Sequence, residues 1–461
     1  MTIDEDTDWV QRLQQTLKGK VLTSPENRAA YAYDGTWGEA WPDAVVLAHS
    51  TEDVAAVLRI ADEERVPVVP RGAASGLSGG SVPERGGIAL SLTPMRKIFE
   101  ISPEDLVAVV QPGVVNLDLQ KAAEPYGLFY PPDPASLDIS TIGGNIAENA
   151  GGPRCLKYGV TSDYVLGLEV VIPGGEVLRL GGRSIKNVTG YDLVHLFVGS
   201  EGTLGVVTEA ILKLLPRPPA RATVSAFFDN LDVAAETVVK VVTSGILPLT
   251  TELLDKVSIG VVEDFLHLGL PRNAEAMLLI SVDGEPESVK RQAEEVAEIC
   301  RRQGATGVSL ADTPEEEEKL WKARRSVSPA LGRLRPHKLG EDIAVPRSKV
   351  PDMVRRVQEI GRKWGLVIPV YGHIGDGNLH PTLACDRRDP EEMKRVEGAA
   401  EDIFKAAIEL GGTLSGEHGI GMLKRDYIPL ALPDNVVTRM KAIKQVFDPH
   451  GIMNPGKVFP E

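Results

Sequence analysis

The chain has 461 residues, of which 43% are hydrophobic and 25% are charged, values typical of a folded globular protein and far from those of a disordered one. At ~100–200 residues per domain, this length predicts two or three domains. The formal net charge of -15 repels phosphate backbones, so we expect no nucleic-acid partner, and an anionic substrate needs a local cluster of basic side chains.

Residues 1–40 are interpreted as a lead-in segment with a short amphipathic helix. The acidic start of the chain lacks the apolar core of a secretion signal, and no apolar stretch approaches the ~18 residues of a membrane-spanning helix. We therefore expect a cytoplasmic protein that reaches the inner membrane only through a partner. The three cysteines, Cys155, Cys300 and Cys385, are too widely spaced to hold zinc or an iron–sulfur cluster together.

Between residues 41 and 217, short apolar runs alternate with glycine-rich loops and helix-period segments, which predicts an α+β domain. Pro216, Pro218 and Pro219 can continue neither a regular helix nor a central strand, so a domain boundary is predicted there. The strand and helix segments of 218–430 follow the pattern of a ferredoxin-like α+β layer. A C-terminal helical tail at 431–461 is expected to return to the first domain.

Three glycine-rich segments fall within the first domain, at 70–81, 131–159 and 198–216. Runs of glycine and other small residues leave backbone N–H groups available to anionic oxygens, so a diphosphate is the expected ligand. For any one of these loops alone, a series of tight β-turns is the simpler interpretation. No G-x-G-x-x-G opens a helix and no Walker motif occurs, which argues against a Rossmann fold or a P-loop.

In this order and spacing, the three segments resemble the FAD-binding domain of the vanillyl-alcohol oxidase and p-cresol methylhydroxylase (PCMH) superfamily. The loop PRGAASGLSGG contains neither His nor Cys to tether a flavin, so non-covalent FAD is expected. The resemblance implies that the pyrophosphate is held by Arg71, Gly72, Ala73, Ala74, Ser75, Gly76 and Ser78. It implies that the flavin is lined by Pro134, Ser140, Thr141, Gly144, Asn145 and Gly151. It implies that the adenosine and ribose lie along Glu201, Gly202, Gly205 and Val207.

Two histidine motifs stand near the C-terminus, YGHIGDGNLHP at 371–381 and SGEHGIG at 415–421. The turn residues GDGN fold the chain back, so a hairpin can bring the rings of His373 and His380 together. With Glu417 these rings make a ligand set that suits Zn²⁺ or another divalent metal. In an extended segment His418 points away from its neighbour Glu417, and its imidazole suits a general base, although an isolated histidine is more often structural.

Both motifs, and the tail FDPHGIMNPGK at 447–457, resemble the FAD-linked D-2-hydroxy-acid dehydrogenases. The resemblance implies that His373, His380 and Glu417 bind a divalent metal, with Zn preferred and Mn or Fe as alternatives. It also implies that His418 is the catalytic base and that Asn454 lies near the flavin.

The basic segment 318–338 is the expected anion-binding cluster, with Trp321, Arg324, Ser328 and Leu331 at helical spacing on one face. A solvated basic helix is the alternative. By resemblance, Arg324, Ser328 and Lys338 match the family's substrate-carboxylate positions. Thr382 departs from the Asn that metal-dependent 2-hydroxyglutarate enzymes place there, which argues against selectivity for a longer diacid.

The expected activity is FAD-dependent oxidation of a small D-2-hydroxy acid, glycolate or D-lactate, to the 2-oxo acid, with hydride transfer to flavin N5. Electrons would leave to a non-nicotinamide acceptor, a quinone or a cytochrome, and the expected protein partners are a second FAD subunit, an iron–sulfur subunit or a second copy of the chain. Two alternatives stay open at this point. One is a flavin-dependent transferase resembling alkylglycerone-phosphate synthase, and the other is a FAD subunit that is active only in a hetero-complex.

Overall fold

A computed structural model describes residues 8–311 and 313–460, which form two compact units. Of the described residues, the first unit comprises 8–151, 160–217 and 417–460, and the second comprises 152–159, 218–311 and 313–416. Among the described residues, no helix combines the length and apolar character needed to cross a membrane.

The units differ from the sequence-based boundaries in two places. Residues 152–159 belong to the second unit, because Lys157 and Tyr158 both bind the carboxylate of Asp283. The return to the first unit begins at Glu417 and not near residue 431.

The elements are numbered along the chain. The helices are α1 (Asp8–Thr16), α2 (Pro25–Ala29), α3 (Thr51–Glu64), α4 (Asn116–Ala123), α5 (Ile142–Glu148), α6 (Cys155–Tyr158), α7 (Leu193–Phe197), α8 (Leu231–Thr243), α9 (Lys256–Leu266), α10 (Pro286–Arg302), α11 (Pro314–Arg325), α12 (Val327–Leu331), α13 (Val350–Trp364), α14 (Pro390–Glu409), α15 (Ile428–Ala431) and α16 (Asp434–Phe447). The strands are β1 (Val21–Leu22), β2 (Ala44–Leu47), β3 (Val68–Arg71), β4 (Ile88–Ser91), β5 (Ile98–Ser102), β6 (Val107–Val110), β7 (Leu128–Phe129), β8 (Val165–Val171), β9 (Val177–Gly181), β10 (Val206–Lys213), β11 (Leu215–Pro216), β12 (Ala220–Phe228), β13 (Thr250–Asp255), β14 (Ala276–Gly284), β15 (Gly307–Leu310), β16 (His337–Gly340), β17 (Ile343–Ala344), β18 (Val370–His373) and β19 (Asn378–Cys385).

The described part of the first unit has two main sheets and a small two-stranded sheet of β7 and β11. One has the order β1-β2-β4-β3, with β2 and β3 both parallel to β4, and the other is antiparallel with the order β5-β6-β10-β8-β9. Helix α3 begins at the N-cap Ser50 and buries an apolar face in the core that contains strands β3 and β4. Because β3 ends at Arg71, the loop 71–81 starts at the carboxyl end of a parallel strand, where ligands of α/β sheets commonly bind.

The second unit contains one large antiparallel sheet with the order β15-β12-β14-β13-β18-β19-β16, and β17 pairs with β19. Its first four strands along the chain, β12 to β15, lie in the order fourth, first, third, second, which is that of a ferredoxin-like layer. Helices α8, α9 and α10 connect these four strands. The predicted mixed α+β fold with a ferredoxin-like second domain and a helical tail is confirmed.

The C-terminal tail adds to the core of the first unit. After α16, Met453 pairs with Val68 of β3, and the Asn454 N–H donates to the Val68 carbonyl oxygen. Asp448 organises this return, because its carboxylate accepts the N–H groups of Ile452 and Met453, each at 2.9 Å. The Asp448 side chain is buried and also accepts from Lys444 Nζ at 2.7 Å.

Replacing Asp448 with Ala should lower the free energy of unfolding by about 2–4 kcal/mol, because two buried N–H groups and an ammonium group lose their acceptor. Urea unfolding followed by circular dichroism measures this loss. The control is Asp434→Ala, which changes an exposed residue in the first turn of α16, the helix that ends just before Asp448. An equal loss in both variants would contradict the role assigned to Asp448.

Candidate functional site

A cavity in the first unit is walled by the three glycine-rich loops. Its volume is about 1340 Å³ when the solvent at its mouth is counted. The predicted cofactor residues that line it are Arg71, Gly72, Ala73, Ala74, Ser75, Gly76, Pro134, Ser140, Thr141, Gly144, Asn145, Gly151, Glu201, Gly202, Gly205 and Val207. Glu417 and His418 line the same cavity.

Unsatisfied polar atoms show that this cavity fits a large polar ligand. Arg71 Nε, Ser140 Oγ, Asn145 Nδ2 and Glu148 Oε2 are buried, and none has a hydrogen-bond partner within the described part of the chain. Leaving such atoms unpaired is costly, so their presence in one cavity wall is best explained by a ligand that supplies the missing partners. Gly72 has to be glycine, since a Cβ there would overlap Thr141 Oγ1. These features fit FAD.

Two predicted cofactor residues, Ser78 and Asn454, are not among the residues that line this cavity, so their contact with the cofactor stays a prediction. Both side chains make hydrogen bonds within the protein, although Asn454 Oδ1 has no partner among the described residues. Ser78 Oγ donates to Glu148 Oε1 at 3.3 Å and accepts from the Gly80 N–H. Asn454 Nδ2 donates to the carbonyl oxygens of Gly80 and Glu201 at 2.9 and 2.7 Å. Both residues therefore brace the loops that form the cavity.

Two carboxyl groups of the first unit, those of Glu148 and Glu201, are held near each other away from solvent. Burial, together with the charge of Glu201, raises the pKa of Glu148 well above its usual value. Burial also raises the pKa of Glu201, although the N–H groups of Ile420 and Gly421 oppose that rise. Glu148 therefore keeps its neutral form, which can donate a hydrogen bond, to a higher pH than an exposed carboxyl does. Glu148 lines the cavity and was missed by the sequence reasoning, because a lone Glu among glycines carries no pattern.

Glu201 fixes the segment that carries His418. Its two carboxylate oxygens accept the N–H groups of Ile420 and Gly421 at 2.8 and 2.6 Å. Gly419 lies between His418 and these amides with φ of +87°, and a Cβ there would overlap Glu148 Oε2. The motif SGEHGIG therefore needs its glycine at 419 for both backbone conformation and close packing.

In the second unit, the turn after β18 brings His373 and His380 together. Tyr371 of β18 pairs with His380 of β19, and the centroids of the two imidazole rings are 5.2 Å apart at nearly a right angle. His373 Nδ1 lies 2.6 Å from Glu252 Oε1, and His380 Nδ1 lies 3.7 Å from Asp342 Oδ1. The acceptor at Nδ1 of His373 favours the tautomer whose lone pair is on Nε2, the arrangement typical of metal-binding histidines, whereas 3.7 Å is too long for a hydrogen bond at His380. This donor chemistry fits a divalent cation.

Arg324 is paired in the structure. Its Nε donates to Glu252 Oε2 at 2.5 Å, and its guanidinium lies 5.1 Å above the Tyr371 ring. Burial opposes ionisation of Glu252, but the charge of Arg324 and the contact with His373 outweigh it and lower the pKa of this carboxyl. The predicted continuous helical face through Arg324 and Ser328 is broken, because α11 ends before Ser326 and α12 begins after it.

Lys338 and Ser328 are brought together. Lys338 Nζ donates to both the carbonyl oxygen and Oγ of Ser328, at 2.5 and 2.6 Å. Burial lowers the pKa of Lys338. An anion that binds beside this ammonium group would therefore stabilise its charged form.

Glu252 and Asp342 are the functional candidates that the sequence reasoning missed in this unit. Both carboxylates are fully buried. Asp342 Oδ2 also accepts from Ser415 Oγ and the Gly416 N–H at 2.7 and 2.8 Å. The available signal was an acidic residue inside an apolar strand, as in TELLD, since a buried acid normally has a specific partner.

Two family profiles match the chain. The profile described as FAD binding domain matches residues 42–181, and the one described as FAD linked oxidases, C-terminal domain, matches residues 217–458.

Three curated relatives are similar over nearly their whole length. The glycolate oxidase subunit GlcD of Bacillus subtilis is 49% identical, with 95% of each chain covered. A D-lactate dehydrogenase of Anaerostipes hadrus is 36% identical, with 98% of this chain and 97% of the relative covered. A D-2-hydroxyglutarate dehydrogenase of Stutzerimonas stutzeri is 37% identical, with 96% of each covered.

Solved structures share the fold at low identity. A 4-ethylphenol oxidase from Gulosibacter chungangensis aligns with a TM-score of 0.81 at 22% identity, covering 98% of this chain and 97% of the other. An alkyldihydroxyacetonephosphate synthase aligns with a TM-score of 0.77 at 22% identity, covering 98% and 86%. The same fold therefore occurs in proteins named for different reactions.

Replacing Glu148 with Gln should make the apoprotein more stable than the wild type as pH rises. A carboxyl whose pKa is raised by folding contributes stability at low pH and loses it as pH rises through the folded-state value. The wild type should therefore lose unfolding free energy between pH 5 and 9, and Glu148→Gln should lose less. Urea titrations at pH 5, 7 and 9 measure the difference, and parallel pH profiles would contradict the assignment. Glu148→Asp, which keeps the ionisable group, is the matched control.

Proposed function

The chain belongs to the FAD-linked oxidases, and from this premise we propose that it oxidises a small D-2-hydroxy acid, glycolate or D-lactate, to the 2-oxo acid. The observation that carries the proposal is that His418 lines the same cavity as the glycine-rich loops predicted to bind FAD. A base placed along the wall of a flavin cavity suits removal of a proton from a substrate hydroxyl.

Bound FAD supplies the acceptor for the hydride that leaves C2 of the substrate. The residues of the first unit perform two tasks in this scheme. The loops that begin at Arg71 and end at Val207 hold the cofactor non-covalently, and His418 accepts the hydroxyl proton as the carbonyl forms. Because Glu201 fixes the amides of Ile420 and Gly421, the His418 backbone is set before substrate arrives.

In the second unit, His373 and His380 are proposed as ligands of a divalent metal, with Zn²⁺ preferred. Supporting this role, the buried carboxylate of Glu252 lies 2.6 Å from Nδ1 of His373, and that of Asp342 lies 3.7 Å from Nδ1 of His380. Glu417 is proposed as the third ligand, because it follows Gly416 directly in the chain and the Gly416 N–H is bound to Asp342. A divalent cation held by two imidazoles and a carboxylate would lower the pKa of a substrate hydroxyl, which would assist a nearby base.

Arg324, Ser328 and Lys338 are proposed to bind the substrate carboxylate. The guanidinium of Arg324 is oriented by Glu252, and Lys338 carries a charge that is partly desolvated. A cationic side chain that is already held in place binds an anionic substrate more tightly than a mobile side chain does, because less conformational entropy is lost on binding.

Reduced FAD requires an electron acceptor, and we propose that other subunits provide the route. The relative from Bacillus subtilis is itself named a subunit. An iron–sulfur subunit or a second FAD subunit, passing electrons to a quinone or a cytochrome, suits this arrangement. Through such partners the chain would lie at the inner membrane while remaining on its cytoplasmic side.

A flavin-dependent transferase of the alkylglycerone-phosphate synthase type is not favoured. The synthase shares the fold at only 22% identity, whereas relatives at 36–49% identity are named as oxidase subunits or dehydrogenases. A transferase without net oxidation would leave the flavin absorbance unchanged when a hydroxy acid is added.

His418→Ala should bind FAD normally but reduce it at least ~100-fold more slowly with D-lactate or glycolate, because general-base catalysis contributes about 10²–10⁴ in rate. Anaerobic stopped-flow absorbance at the flavin band measures the rate. His450→Ala, which removes a surface imidazole paired with Asp62, is the control and should match the wild type. Wild-type rates in His418→Ala would refute the role of this base.

Removing bound metal with a chelator should abolish flavin reduction by the same acids, and adding Zn²⁺ should restore it, with FAD content unchanged throughout. Metal analysis of the purified protein should give about one divalent ion per chain, as expected for one three-ligand site, and His373→Ala should lose it. Full activity in a metal-free preparation would remove the metal from the mechanism while leaving the oxidation itself in place.

A further inference from the structure

One buried carboxylate, Glu252, contacts two residues that have separate proposed roles. Its Oε1 lies 2.6 Å from His373 Nδ1, and its Oε2 accepts from Arg324 Nε at 2.5 Å. The Glu252 side chain is 0% exposed, and those of His373 and Arg324 are 5% and 11% exposed. A carboxylate in this environment survives only with strong partners, and here it has a cation on one oxygen and an imidazole on the other.

We propose that Glu252 is a positioning residue that holds the ring proton of His373 on Nδ1 and at the same time orients Arg324. The inference rests on the proposed function, because it presumes that Nε2 of His373 binds the metal and that Arg324 meets the substrate. It extends the proposed function by assigning to Glu252 the alignment of both His373 and Arg324.

The chemistry of the carboxylate explains why a single residue can serve both partners. Ionised Glu accepts on both oxygens, so it satisfies two donors at once. The proton that Glu252 accepts must come from Nδ1 of His373, which leaves the lone pair of the ring on Nε2. A metal ligand needs that lone pair, and partners beyond the ligands that fix a histidine tautomer are typically worth 10–100-fold in metal affinity.

Glu252→Gln tests this idea with almost no change in volume. The amide has one acceptor and one donor, so it cannot serve both partners. If the amide oxygen faces Arg324, its NH₂ faces His373 Nδ1, and the ring proton must move to Nε2. The opposite orientation would set the NH₂ against the charged Arg324 Nε–H, which is more costly than losing a neutral partner, so we expect the amide oxygen to face Arg324.

Asp255→Asn is the matched control. Asp255 lies on the same strand, β13, and is also buried. Its two oxygens accept backbone N–H groups, those of Ser258 and Val370, each at 2.9 Å. The control therefore reproduces the loss of a buried carboxylate in this sheet without exchanging an acceptor at His373.

The first readout needs no metal and no activity. In chelator-stripped protein with ¹⁵N-labelled histidine, long-range NMR correlations should show a proton on Nδ1 of His373 in the wild type and in Asp255→Asn. Glu252→Gln should have lost it from Nδ1. A wild-type ring that is unprotonated at Nδ1, or a Gln variant with the wild-type pattern, would overturn the inference, and the wild-type result stands even if the variant does not fold.

The second readout is Zn²⁺ affinity by calorimetry. Glu252→Gln should bind Zn²⁺ at least ~10-fold more weakly than the wild type, whereas Asp255→Asn should stay within about threefold. Equal weakening in both variants would mean that Glu252 acts only through the fold. If wild-type protein binds no Zn²⁺ at all, the proposed metal role fails, while the NMR experiment still decides whether Glu252 sets the tautomer of His373.

Discussion

The carboxylate of Glu201 is the constraint on which the cofactor side of the protein depends. Its side chain accepts the N–H groups of Ile420 and Gly421, and its carbonyl oxygen accepts from Asn454. Two segments from the end of the chain are thus attached to one residue of a loop far earlier in the sequence. Glu201 has a left-handed backbone with φ of +51°, a conformation that costs energy for an L residue and is kept only when surrounding contacts fix it. These hydrogen bonds of Glu201 hold in place the segment of the cavity wall that carries His418.

Features with a local cause were predictable from the sequence. The turn residues between His373 and His380 encode a hairpin by themselves, and the glycine-rich loops encode close approach of backbone to a ligand. The strand and helix pattern after residue 218 was sufficient for the ferredoxin-like order of β12 to β15. In contrast, the change of unit at residues 152–159 depends on Lys157 and Tyr158 meeting Asp283, a contact between distant segments that no local pattern specifies.

The residues that sequence reasoning missed are buried acids, and they share a physical reason. From sequence alone, an acidic residue is predicted to lie on the surface, because burying an unpaired carboxylate costs much free energy. Glu252 and Asp342 lie beside imidazoles, and burial raises the pKa of Glu148. In each case the compensating group is far away in the chain, so only the folded structure reveals that the acid is tolerated. The net charge of -15 likewise hides the fact that several acids face functional groups and not solvent.

For the proposed substrate-carboxylate site of Arg324, Ser328 and Lys338, the pairing of Arg324 with Glu252 also bears on which acid would bind. Glu252 already offsets the charge of Arg324. Lys338, in contrast, donates to two neutral oxygens of Ser328, and no carboxylate is bonded to it among the described residues. Burial lowers the pKa of Lys338, so an arriving anion stabilises its charged form. One uncompensated cation suits one carboxylate. This argument favours a monocarboxylate such as glycolate or lactate over a diacid, in agreement with the presence of Thr382 where enzymes for the longer diacid tend to have Asn.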